Sequence, residues 1–224
     1  MDLKALECPN CGSPLTILGV GREIQCPYCK STVIVPDELL QSRTFTNVLL
    51  EYDFSDLSDK RSQKGKRQEF KDGHCRVHLD PNYGRSSVDS TGDFTDFSVQ
   101  VDVQKISGAD YGTMGVIGRL TDSGFYGFEF DYRGHYGILE YDSHYNPKVL
   151  TNAHLDPNTV NQKGVNQIKG ICDHGDLTLI LNDQVLSHIQ SSAYTEGGAG
   201  FIVNPGKIGN AMDVVFSNLV VKGP

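Results

Sequence analysis

The chain has 224 residues, 38% of them hydrophobic, and a formal net charge of −8, which allows one or two domains with a core of sandwich size. No run of 18 apolar residues exists, so an apolar spanning helix is excluded, and the acid excess argues against general affinity for nucleic-acid phosphates. The opening MDLKALECPNCG lacks a basic region followed by an apolar one, so no signal peptide and a cytoplasmic location are expected.

The first element carries metal chemistry. Cys8-Pro-Asn-Cys11 and Cys26-Pro-Tyr-Cys29 are two CxxC knuckles separated by fourteen residues. Each knuckle offers two thiolates from one tight turn, and two knuckles close a tetrahedral shell around one structural Zn2+ per chain. A closed four-thiolate shell leaves no open position for water, so no catalysis is expected there. The competing reading is two disulfides or four free thiols, against which the specificity of paired CxxC at this spacing argues. Leu15-Thr16-Ile17-Leu18 and Glu23-Ile24-Gln25 read as short strands joined by a turn at Gly19-Val20-Gly21. Residues 1–36 are thus expected to form a zinc ribbon. The text Cys26-Pro-Tyr-Cys29-Lys-Ser-Thr-Val33-Ile-Val-Pro36 resembles the second knuckle of N-terminal ribbons in bacterial multidomain proteins. That resemblance leaves function open, because such ribbons precede unrelated domains.

Residues 37–46 read as a linker, with Asp37 as a plausible cap on a short helical turn. The run Lys60, Arg61, Lys64, Lys66, Arg67 and Lys71 reads as a solvated basic loop. Beyond it lie many short strand candidates bounded by turn residues, without intervening helical patterns. Phe97, Val99, Val101 and Val103 alternate onto one face, followed by candidates at 114–120, 125–131, 136–142, 166–171, 177–181, 198–203 and 214–221. The expected fold is all-β: a small ribbon, then an antiparallel β-sandwich over 47–224. Cys75 and Cys172 are expected as buried free thiols.

The order of several short texts carries a second resemblance. Tyr52-Asp-Phe-Ser-Asp56, Phe94-Thr-Asp-Phe-Ser-Val-Gln-Val-Asp102, Asn166-Gln-Ile-Lys-Gly170, Gly175-Asp-Leu-Thr-Leu-Ile-Leu-Asn-Asp183 and Val215-Phe-Ser-Asn-Leu-Val-Val221 are similar to the concanavalin-A-like lectin and glucanase jelly rolls, near laminin-G-like and family-16-type modules. The resemblance implies a jelly roll that recognises a glycan or a protein partner. Where the family closes on an Asp this chain has Ser217, so no calcium is expected there. Trp is absent, so tyrosines would have to stack on a sugar.

Related glucanases carry E-x-D-x-x-E on one strand. Here the text is Glu129-Phe-Asp131-Tyr-Arg-Gly134, with Gly134 in place of the third acid, so catalytic roles are not transferred. No nucleophile elbow, phosphate loop or HExxH is present. A glycan-processing hydrolase and a self-assembling structural subunit stand as alternatives to the binding module. A three-residue loop Asp122-Ser-Gly124 and a two-residue loop Gly134-His135 would set Glu129 opposite Glu140. Phe128, Phe130, Leu139 and Tyr141 would then share the core face, and Arg119, Glu129, Asp131, Tyr136 and Glu140 the other. That second set is the candidate ligand face, with Arg119 or a ligand bridging two mutually repelling glutamates and Tyr136 stacking on the ligand. The competing reading is a salt-bridged surface.

Overall fold

A computed structural model describes residues 6–15, 23–34, 45–52, 54, 61–63, 66–81, 86–156, 159–206 and 210–224. The chain divides into two compact units, Met1–Thr44 and Phe45–Pro224. Most of the expected 37–46 linker and the whole Gly19-Val20-Gly21 turn lie outside the described residues, as do Lys60 and Lys64 of the basic run.

In the first unit, β1 (Leu6–Glu7) pairs with β2 (Pro14–Leu15) across the first knuckle. β3 (Glu23–Gln25) pairs with β4 (Thr32–Ile34) across the second. Each knuckle is therefore the turn of its own hairpin. The expected glycine turn lies outside the described residues, and what these show is each CxxC closing a hairpin of its own. The reason is local: a CxxC turn reverses the chain by itself, so the residues flanking it are already in hydrogen-bonding reach.

The second unit is two antiparallel sheets, with no α-helix among the described residues. No helix there is long and apolar enough to cross a membrane, which says nothing of strands. The larger sheet runs β17 (Gln184–Gln190), β16 (Asp176–Leu181), β15 (Asn166–Asp173), β10 (Phe97–Gly108), β19 (Met212–Gly223), β8 (His74–Leu79), β7 (Lys66–Lys71) and β6 (Arg61–Gln63), with β5 (Asn47–Tyr52) also on β19. The smaller runs β14 (Pro147–His154), β13 (His135–Asp142), β12 (Gly124–Phe130), β11 (Thr113–Thr121), β18 (Gly197–Asn204) and β9 (Ser86–Phe94). The segment expected as a basic loop is thus largely the hairpin β6–β7, whose Phe70 is buried opposite Cys75.

Period-two alternation places the core. Phe97, Val99, Val101 and Val103 are all fully buried, as are Leu177, Leu179, Val214 and Phe216 of the same sheet. The facing sheet supplies Met114, Val116, Tyr126, Phe128, Ile138, Phe201 and Val203. Phe201 and Phe216 stack across the interface with ring centroids 4.1 Å apart. Phe128 packs where Gly170 leaves a notch: a methyl group on Gly170 would meet its ring at 2.6 Å. Cys75 and Cys172 are buried and form no disulfide, and burial pushes the Cys172 thiol up to about 12.

Replacing Phe216 by Ala should lower stability by about 3–5 kcal/mol, because it empties a closed contact between the sheets. Val185→Ala, at an exposed position of β17, should change it by less than about 0.5 kcal/mol. Urea unfolding of both variants checks this, and similar losses for the two would remove the Phe201–Phe216 stack from the core.

Candidate functional site

Among the described residues, two of the places that bring reactive groups together bear on function. In the first unit, sulfur atoms of Cys8, Cys11, Cys26 and Cys29 all lie within 4.8 Å of one another. The Cys8–Cys29 and Cys11–Cys26 sulfur separations are 3.6 and 3.7 Å, too long for disulfides. The two knuckles repeat the same backbone pattern. Gly12 N donates to Cys8 O at 2.8 Å and Lys30 N to Cys26 O at 2.9 Å, while Cys8 N and Cys26 N donate to Ser13 O and Ser31 O, both at 2.9 Å. Gly12 and Lys30 take the left-handed backbone that closes each turn, at φ 69° and 63°. The Ser31 hydroxyl sits 2.9 Å from Cys29 Sγ and 3.5 Å from Cys8 Sγ. It is the main cause of the lowering of both thiols, that of Cys8 to about 6. Such a group of four sulfurs can hold a metal ion.

The second place is on the six-stranded sheet, and its making begins with one turn. Asp131-Tyr-Arg-Gly134 closes when Gly134 N donates to Asp131 O at 3.1 Å, and Asp131 N donates to His135 O at 2.8 Å. Gly134 takes φ 97°, which a side chain would disfavour. The Asp131 carboxylate accepts from the Arg133 and His135 amides, both at 2.9 Å. Its second oxygen faces Arg133 Nη2 at 2.9 Å and His135 Nδ1 at 3.2 Å. Both residue types sit where a type I turn wants them, Asp first and Gly fourth.

This turn is longer than the Gly134-His135 loop expected from sequence, and the register follows. Glu129 pairs with Gly137, Phe130 with Tyr136 and Phe128 with Ile138. Glu140 lies opposite Tyr126 instead of Glu129. An odd shift of three positions exchanges the faces of β13. Tyr141 and Leu139 therefore leave the expected core face and join Glu129, while Tyr136 packs against the main core. Glu140 pairs with Lys148, Nζ to Oε1 at 3.1 Å.

Arg119 also departs from its expected role. Thr121 pairs with Gly124, so the hairpin loop has two residues, and a bulge separates Gly118 from Thr121. Arg119 sits in that bulge at φ 53° and is 1% exposed. Its guanidinium donates to Thr95 O at 2.9 and 3.1 Å and to Tyr194 O at 3.0 Å, with Asp96 at 3.5 Å. It ties loops together and bridges no glutamates. Of the five expected ligand-face residues, the structure keeps Glu129 and Asp131 on one side of β12. Both are buried, 2% and 1% exposed, which a plain salt-bridged surface would not be.

Glu129, Asp131 and Tyr136 line a cavity of about 300 Å³, together with residues that sequence reasoning passed over, among them Tyr111, Thr113, Arg133 and Tyr141. Tyr141 donates its hydroxyl to Glu129 Oε1 at 2.6 Å, and Thr113 donates to Oε2. No ion-pair partner of Glu129 occurs among the described residues. Tyr141 is held by stacking on Phe125, with centroids 4.7 Å apart. The Arg133 guanidinium lies 5.5 Å from the centre of the Tyr111 ring. A signal for this set was present in the Asp-x-x-Gly turn text, which correctly read would have put Tyr141 beside Glu129. A wider recess of about 730 Å³ lies over Leu120, Phe125 and Tyr145, with Asp122 and Asp142 at its rim. Asp142 is occupied there by Asn146, whose side chain is the main cause holding its carboxyl below the usual range.

No family model matches the chain, and no curated protein matches it in sequence. Solved structures share its fold. A Bacillus subtilis protein of unknown function with a galectin-like fold aligns with TM-score 0.58 at 13% identity, over 79% of this chain and 96% of that one. The carbohydrate binding module CBM66 from Bacillus subtilis aligns with TM-score 0.52 at 14% identity, over 74% and 91%. The catalytic domain of an endo-1,3-beta-glucanase (laminarinase) from Thermotoga petrophila aligns with TM-score 0.56 at 7% identity, over 79% and 97%. At these identities the likeness is one of fold: the larger unit is a β-sandwich of the jelly-roll kind.

Proposed function

We propose that this chain is a glycan-binding protein without hydrolytic activity, in which a ribbon held by one zinc ion precedes the jelly roll. The cavity at Glu129 carries the reading. It is walled by tyrosines and has a buried carboxylate, a guanidinium and hydroxyls converging on it, the mix of ring surface and placed polar groups that a sugar needs. The structural neighbours include a carbohydrate binding module and a glucanase domain, which supports a glycan as ligand.

Binding is favoured over hydrolysis by one observation. Glycoside hydrolysis uses two carboxyl groups, one as acid and one as base or nucleophile. Asp131 has both oxygens committed to its own turn, and Gly134 stands where a third acid would be. Of the two carboxylates that line the cavity, that leaves Glu129 to act.

Zinc suits the four cysteines on geometry. With Zn–S bonds of about 2.3 Å, a tetrahedron has sulfur–sulfur edges of about 3.8 Å. The separations of 3.6 and 3.7 Å sit at that value. Cys8, Cys11, Cys26 and Cys29 would hold the ion, and its binding would supply folding free energy on the order of 10 kcal/mol to a unit too small to stand on its own core.

Elemental analysis of the purified chain should find about one zinc per molecule. Cys26→Ser should abolish it while the cooperative melt of the sandwich persists. Metal-free protein that keeps a protease-resistant N-terminal unit would count against zinc. In a glycan screen with parallel measurement of released reducing ends, binding without release is expected. Tyr111→Ala should weaken that binding at least about tenfold with the melting temperature held within a few degrees. Release of reducing ends that disappears in Glu129→Gln would replace this reading with a hydrolase.

A further inference from the structure

The chemistry around Glu129 narrows the ligand, given the glycan reading above. Its carboxylate is 2% exposed and lines the cavity, yet its only hydrogen-bond partners among the described residues are two neutral hydroxyls. A charge in that setting is held at a cost that neutral donors offset only in part. The neighbouring charges do not supply the difference. Arg133, the cation lining the cavity, pairs with Asp131 at 2.9 Å. His135 also faces Asp131, at 3.2 Å. Glu129, Asp131 and Arg133 leave one negative charge in excess when His135, which also lines the cavity, is neutral, and a charged His135 would face Asp131 and leave Glu129 without a cation of its own.

The direction of the hydrogen bonds matters as much as the charge. Tyr141 and Thr113 each have one hydroxyl proton, and both donate it to Glu129. What these three groups can still offer a ligand is lone pairs alone. A sugar hydroxyl can donate one bond into such a corner. An ammonium group has three donors, no acceptor and a positive charge. An N-acetyl carbonyl brings an acceptor and no charge.

We propose that the cavity takes a glycan bearing a free, protonated amino group, an amino sugar whose ammonium nitrogen pairs with Glu129 and donates to the Tyr141 and Thr113 oxygens. A metal ion is the weaker occupant. The side-chain groups able to gather round an ion among the described residues are the four cysteines and Asp96 with Asp173 and His174, and neither includes Glu129. The chain's net charge of −8 adds long-range attraction for a cationic polymer.

The test compares three oligosaccharides of equal length by calorimetry at pH 6: glucosamine oligomers, their N-acetylated counterparts and glucose oligomers. The full chain should bind the aminated form at least about tenfold more tightly than either other. Glu129→Gln, which keeps the shape and can still accept one hydroxyl, should erase that preference, so that the aminated and neutral oligomers bind the variant within about threefold of one another. Raising salt should weaken the aminated form alone. If all three bind equally, the glycan reading stands and the amine preference falls. If none binds, both fall together. The wild-type comparison needs no variant to fold, and a preference that survived in Glu129→Gln would place the amine elsewhere and overturn the assignment.

Discussion

Much of the larger unit's chemistry depends on one carboxylate in one turn. Asp131 accepts two backbone amides and a guanidinium, and in doing so sets the length of the β12–β13 connection. Side chains alternate along a strand, so a change of one residue in that turn would move every side chain of β13 to the opposite face. With the observed length, Tyr141 stands on the same side as Glu129 and Ile138 on the side of Phe128. Core and cavity are therefore decided by the same few hydrogen bonds. The cost of burying Asp131 is offset by donors that are covalently near it, which makes the turn robust.

Arg119 does comparable work on the opposite side of β12. A guanidinium has five N–H donors and no way to lose its charge, so it is buried only where acceptors are dense. The bulge after Gly118 turns it toward Thr95 O and Tyr194 O. Those carbonyls belong to connections between strands and need donors if they are to leave water. The residue that an alternation pattern would place as a ligand contact is thus a structural tie. A bulge cannot be read from alternation, because the extra residue is what breaks the period.

The small N-terminal unit follows a different logic. Its described core is Cys8, Leu15, Cys26 and Val33, two aliphatic side chains and two sulfurs. Apolar burial on that scale offers only a few kcal/mol, against about 1–2 kcal/mol of backbone entropy per ordered residue. The four sulfurs are brought together by two copies of one turn, each closed by the same pair of backbone hydrogen bonds. Packing on that scale does not by itself account for an ordered unit, and what the unit adds to it is four sulfurs that can hold a metal ion.

The sequence alone determined what local patterns can carry. The CxxC pairs name the four sulfurs because a knuckle is complete within four residues. Alternation in Phe97-Ser-Val-Gln-Val-Asp-Val103 names a core strand because one face is buried along its whole length. The polar β9, Ser86–Phe94, and the exposed edge β14, Pro147–His154, left no such pattern and escaped it. The pairing of Glu129 with Tyr141 and Thr113 was decided only in the tertiary structure. It depends on the register of three strands, and register is set by turn length and bulges that hydrophobic periodicity does not encode. Asp-Tyr-Arg-Gly was legible as a turn, but choosing it over Gly-His required knowing that the Asp131 carboxylate would close on amides two and four residues ahead.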